Sequence, residues 1–146
     1  MALPARLTLV TIGTRDHEKM CAFYKALGWA PGFEIEGDMT SFLVGGVVLA
    51  LWPLEKLHAE ASGGEPKPAG GWDGVTFACN CDARDDVDTA YAAAVAAGAT
   101  VVAPAADTDW GARVGYFADP EGHRWEVAWA EGMEIDVRGA VTRFGG

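Results

Sequence analysis

Positive charge is scarce in this chain: 11 Lys plus Arg face 21 Asp plus Glu, which leaves 146 residues at a net −10. A surface so biased repels a phosphate backbone and forgoes the electrostatic attraction on which most nucleic-acid binding rests, so nucleic acid is not an expected partner. Long apolar runs are also missing. None approaches the roughly 20 residues that cross a bilayer, and the opening Met-Ala-Leu-Pro-Ala-Arg lacks the charged-then-apolar layout of a secretory leader. The expectation is a cytoplasmic protein with no membrane partner. Cysteine is limited to Cys21, Cys79 and Cys81, an odd number too small for a disulfide framework. The three histidines, His17, His58 and His123, are expected at the surface. What is abundant is core material: half of the residues are hydrophobic, against 22% charged, the balance of one folded domain.

Along the chain, residues 7–12 alternate and are β-branched, which predicts a strand with Leu7, Leu9 and Thr11 on one face. A helix follows, with Thr14 or Asp16 as its cap. Met20, Phe23, Tyr24 and Leu27 recur at the spacing of one buried stripe, and Gly28 ends it. Glycines then punctuate short antiparallel strands at 32–35, 40–44 and 47–52. Residues 53–71 shift to Gly, Pro, Lys and Glu, with a helical turn at 54–61 and then a flexible connector.

Beyond the connector the pattern begins again. Residues 74–81 read as a strand, Asp85 or Asp86 caps a helix with Val87, Tyr91, Ala94 and Val95 on its stripe, Gly98 ends it, and 100–103 is extended. Gly28 and Gly98 stand seventy positions apart and the two strand starts, Leu7 and Val75, sixty-eight, so the chain carries an internal repeat. A hairpin of 114–118 and 123–130 turns across Asp119-Pro120-Glu121-Gly122. Its last strand puts Trp125, Val127 and Trp129 on one face and Arg124, Glu126 and Ala128 on the other. The tail 131–146 reads as one short strand at 134–137 and otherwise as mobile or partner-contacting.

The repeated βαβββ pattern, the helix run D-H-E-K-M-C-A-F-Y-K-A-L-G-W from Asp16 and the closing A-D-P-E-G-H-R-W-E-V-A from Ala118 resemble the vicinal oxygen chelate superfamily of glyoxalase I, the fosfomycin and bleomycin resistance proteins and the extradiol dioxygenases. The resemblance spans about 7–129. It implies an α+β fold of two tandem modules, about 7–52 and 72–130, whose mixed sheets curl around one cavity with helices outside. It also implies, in many members, a divalent metal held by up to four side chains. The corresponding positions here are Leu9, Ala50, a residue on or near Val75, and Glu126. Hydrocarbon side chains cannot coordinate a cation, and one carboxylate leaves at most a loosely held, water-bound ion, so no resident cofactor is expected.

On that resemblance Leu9, Ala50, Trp52, Val75, Phe77 and Glu126 point into one concavity, with Trp110 in a Gly-flanked loop and Tyr116 as further ligand contacts. Glu126 then serves as the anchor for an amine or as a general acid or base, unless it pairs with Arg124, Arg113 or a backbone donor. Cys79 and Cys81 share a strand face, as small buried hydrophobes or as a thiol pair. Three functions stay open. One is a metal-independent protein of the bleomycin-resistance type that sequesters a cationic or aromatic compound. Another is a glyoxalase-like lyase or isomerase, or a dioxygenase, using Glu126. The third is an assembly subunit with a vestigial pocket. The family habit of pairing modules across subunits implies a homodimer.

Overall fold

A computed structural model describes residues 3–144. Two units of the same order follow one another. The first runs β1 (Leu9–Thr14), α1 (His17–Ala26), β2 (Pro31–Ile35), β3 (Met39–Val44) and β4 (Val47–Pro53). After α2 (Leu54–Ala61) the second runs β5 (Thr76–Asn80), α3 (Asp86–Ala96), β6 (Thr100–Asp107), β7 (Arg113–Ala118) and β8 (Arg124–Trp129). Each unit makes a four-stranded sheet with the same topology, β1-β4-β3-β2 and β5-β8-β7-β6. The first and last strands of each unit lie parallel and the rest antiparallel, so both sheets are mixed. This is the α+β architecture of two tandem modules implied by the repeat. The sheets do not close on each other: β1 and β5 are both edge strands.

The helices form where their sequence patterns predict, although Asp85 at the start of α3 makes no side-chain capping bond and Val95 of the expected stripe is exposed. Asp16 caps α1 by accepting from the Lys19 amide at 3.1 Å, and Gly28 and Gly98 follow the two helices at positive φ. The Gly45-Gly46 turn has both residues at positive φ, which suits a tight hairpin between β3 and β4. The α1 stripe of Met20, Cys21, Phe23 and Tyr24 is buried. It packs on Ile12, Phe42, Leu49 and Leu51 of its own sheet and reaches module two, where Phe23 meets Phe117 at 6.4 Å and Tyr24 meets Trp125 at 6.2 Å between ring centroids. The helix-facing sides of both sheets therefore merge into one core. The opposite faces look away from it.

A polar knot inside that core ties the modules. Asp119 is 1% exposed; it accepts from the Tyr24 hydroxyl at 2.7 Å, sits 2.8 Å from His123 Nδ1, and takes the amides of Glu121 and His123 at 3.0 Å each. The Trp125 indole donates to the Tyr24 oxygen at 3.0 Å. Two residues further along the turn, the Glu121 carboxylate accepts the Arg15 and Asp16 amides at 2.8 and 2.9 Å, so module two caps the entry to the helix of module one. His123 is thus not the surface histidine expected, because its ring is drawn in as the neighbour of a buried acid. His17 is likewise engaged, 2.9 Å from Thr14 Oγ1 and 3.4 Å from Cys21 Sγ.

The tail departs most from expectation. Instead of one strand it forms a hairpin, β9 (Glu134–Ile135) with β10 (Val141–Arg143), whose turn is pinned by Asp136 accepting the amides of Arg138 and Ala140 at 2.8 and 3.0 Å. Its Gly139 backbone rests on the β3–β4 turn so closely that a Cβ on Gly45 would lie 2.6 Å from the Gly139 carbonyl oxygen.

Candidate functional site

Register decides which side chains share a face, because cross-strand partners point the same way. In module two Tyr116, Glu126 and Ala78 form one row, flanked by Val114, Ala128 and Asn80 on one side and Arg124 with Thr76 on the other. In module one the corresponding row is Ser41, Ala50 and Thr11, flanked by Leu43, Val48 and Leu9. Both rows lie on the faces turned away from the shared core. Leu9, Ala50 and Trp52 therefore occupy one face of sheet one, and Glu126 and Tyr116 the matching face of sheet two.

Phe77 and Val75 are misplaced by the sequence reading. Phe77 pairs with Trp125, its ring 5.2 Å from the indole, and so faces the core rather than the Glu126 row. Val75 precedes β5; its carbonyl accepts from the Trp72 indole at 3.0 Å, and Thr76 is the strand residue that shares the Glu126 face. Alternation along a strand yields two sets of residues but does not say which set turns inward. Trp52 is half-buried, its indole N–H buried without a partner among the described residues. Trp110 is exposed and borders a smaller hollow of about 440 Å³ with Gly111 and 130–132.

Glu126 is half-buried and accepts a hydrogen bond from the Tyr116 hydroxyl at 3.0 Å. Neither nearby arginine claims it. Arg113 forks onto Asp88 with two 2.7 Å contacts and also meets Asp107, while Arg124 donates to the Gly122 carbonyl. The hydrogen bond to Glu126, together with burial, holds the Tyr116 phenol above its ordinary pKa. The pair is thus a carboxylate with a protonated hydroxyl beside it, set among Ala78, Ala128 and Val114.

The superfamily's metal does not fit this set. The other family positions carry Leu9, Ala50 and Thr76, and among the described residues no group of three or more His, Cys, Asp or Glu side chains stands close enough to hold an ion. Hard divalent cations require several oxygen or nitrogen ligands, and a single carboxylate with a phenol does not supply them.

A separate cavity lies between the modules. A cleft of about 770 Å³ runs between the edge strands β1 and β5, and of the ligand contacts expected from the sequence Phe77 is the one that lines it. Cys79 opens onto the same cleft. Burial pushes the thiols of Cys79 and Cys81 up, Cys81 to about 11, so both stay protonated at neutral pH and neither is an activated nucleophile.

The sequence profile described as Glyoxalase/Bleomycin resistance protein/Dioxygenase superfamily matches residues 6–127, and the chain belongs to that superfamily. A glyoxalase-related enzyme from Fulvimarina pelagi is 30% identical with a TM-score of 0.87, over 98% of this chain and 100% of that one. A glyoxalase/bleomycin resistance protein/dioxygenase from Nocardioides is 29% identical with a TM-score of 0.70, over 88% and 85% of the two chains. A lactoylglutathione lyase from Agrobacterium tumefaciens is 20% identical with a TM-score of 0.68, over 88% and 96%, a likeness of fold alone. One stretch of 42 residues is 50% identical to an uncharacterized protein of Mycobacterium bovis; it spans 29% of this chain and 28% of that protein. Among the described residues no helix is long and apolar enough to cross a membrane.

Proposed function

We propose that this member of the superfamily binds a small organic compound without a metal, with Glu126 and Tyr116 as the polar anchor of the site. One observation carries the reading: the family position that keeps a donor is occupied by a carboxylate that already accepts a phenolic hydrogen bond, in a row otherwise made of small side chains. A carboxylate so placed holds an amine or another donor, and the alanines leave room for the body of a ligand. Leu9, Ala50 and Trp52 supply a matching apolar face on sheet one. Because the two faces look away from the shared core, the reading includes a second copy of the chain that brings one face over the other.

The Tyr116 to Glu126 hydrogen bond also supports a second reading, a metal-free lyase or isomerase in which Glu126 moves a proton beside a neutral phenol. One experiment separates the two. Purified protein is screened by thermal shift against aromatic amines, cationic glycopeptides and thiol hemiacetals, with and without EDTA, alongside Glu126→Gln. A true ligand at one hundred times its Kd stabilises by about 2.7 kcal/mol. The expected result is stabilisation that survives EDTA, falls in the variant and leaves the compound chemically unchanged. Turnover that Glu126→Gln abolishes would establish the enzyme, and stabilisation that EDTA removes would overturn the metal-free site.

A further inference from the structure

Glu126 does not border the cleft between β1 and β5, although Ala78 of its row lines one edge. We propose that this cleft is a second binding site, for a small planar organic cation, and that the C-terminal hairpin is its outer wall. Its volume, about 770 Å³, falls within the range of small-molecule sites. One wall is aromatic: Trp29 meets Trp125 edge-on at 5.6 Å, and Phe77 lies 5.2 Å from Trp125. Val10 and Leu49 continue that wall, and the edge strand residues Thr76, Ala78 and Asn80 form the side opposite β1.

Charge selects the ligand class. No Lys, Arg or His lines the cleft, whereas two carboxylates do. Asp136 is committed to Arg138 at 2.8 Å, but Asp82 makes no ion pair among the described residues and stands exposed near the thiols. Aromatic rings and an unpaired carboxylate lining one cleft favour a cation over an anion of the same shape, and the −10 of the whole chain adds to that preference. The hairpin completes the enclosure. Ile135, Val137 and Val141 line the cleft, and the close seating of Gly139 on Gly45 fixes the hairpin against module one, so any Cβ at position 45 displaces the wall.

The test uses the whole chain and two planar probes of like size, 10-methylacridinium and acridine-9-carboxylate, read by quenching of tryptophan emission. The expected result is saturable one-to-one binding of the acridinium, with the carboxylate at least roughly ten-fold weaker. Asp82→Asn weakens the acridinium roughly three- to five-fold. Gly45→Ala and Val141→Lys, which disturb the wall from its two sides, weaken it comparably, while Glu126→Gln leaves it unchanged. Equal binding of both probes, or insensitivity to Asp82→Asn, Gly45→Ala and Val141→Lys together, overturns the proposal. Loss of binding in Glu126→Gln does so too, by assigning the dye to the other face. So does an absence of binding in a dimer that Val141→Lys dissociates, because a second copy then fills the cleft.

Discussion

Asp119 is a buried acid that the fold could not tolerate alone: its two oxygens are saturated by the Tyr24 hydroxyl, two amides and the His123 ring. The consequence appears in the titration of His123. Burial works to lower its pKa, but the hydrogen bond and charge of Asp119, with Glu121 and Asp73 behind it, outweigh burial and raise it. A histidine whose folded pKa lies above its unfolded value contributes stability that is fully present below about 6.5, the unfolded value, and is lost as pH rises through the folded one. Urea unfolding followed across pH 5.5 to 8.5 is therefore expected to show stability declining on the alkaline side of 6.5. In His123→Gln that decline is absent, and the variant is less stable than the parent below pH 6.5 by on the order of 1 kcal/mol. An unchanged slope in the variant would place the pH dependence elsewhere.

Close packing limits the elements as charge limits the residues. Gly115 in β7 faces α3, where an added Cβ would stand 2.9 Å from Tyr91 Cδ2 and 3.1 Å from the Ala105 Cα. A ring held by its own hydroxyl bond to the Tyr116 carbonyl at 2.8 Å cannot swing aside cheaply, and neither can a strand backbone. Gly115→Ala is expected to destabilise by about 1–3 kcal/mol through overpacking, read as a lower urea midpoint with an unchanged slope. Elements of this kind differ in how far the sequence discloses them. The α1 stripe was legible because burial of Met20, Phe23 and Tyr24 follows helical spacing, and α2 because a composition shift frames it at both ends. The repeat made the module order legible as well. The facing of β5 was not, since Phe77 and Ala78 alternate in any orientation and only pairing with Trp125 or Glu126 decides between them. The tail hairpin was illegible for a related reason: its turn depends on Asp136 gathering local amides, and its seat depends on a glycine contact ninety-four positions away.

At the scale of the molecule, the two modules spend their helix-facing surfaces on one common core, and that leaves the faces bearing the candidate anchor turned outward. On sheet one the outward face is unusually apolar for a chain so acidic. Leu9, Phe33, Ile35 and Leu43 are 49%, 57%, 50% and 73% exposed, and pleat alternation sets them on the same side as Ala50. The opposite number is the Glu126 face, whose Ala78 and Ala128 are small enough to leave a hollow when covered. A two-fold arrangement that lays sheet one of one protomer over sheet two of another would bury the apolar side chains twice and make two equivalent sites, each drawing Glu126 from one protomer and Leu9 from its partner. The expected outcome is a dimer at micromolar concentration by analytical ultracentrifugation. Leu43→Glu puts a carboxylate on the apolar face across from Glu126, and it should shift that dimer toward monomer while circular dichroism stays that of the parent. The same variant should weaken any ligand that Glu126→Gln weakens, because both faces would build one site. A parent chain that sediments as a monomer throughout, with ligand still anchored by Glu126, would show that one sheet face suffices and that the apolar side chains of sheet one serve some other contact.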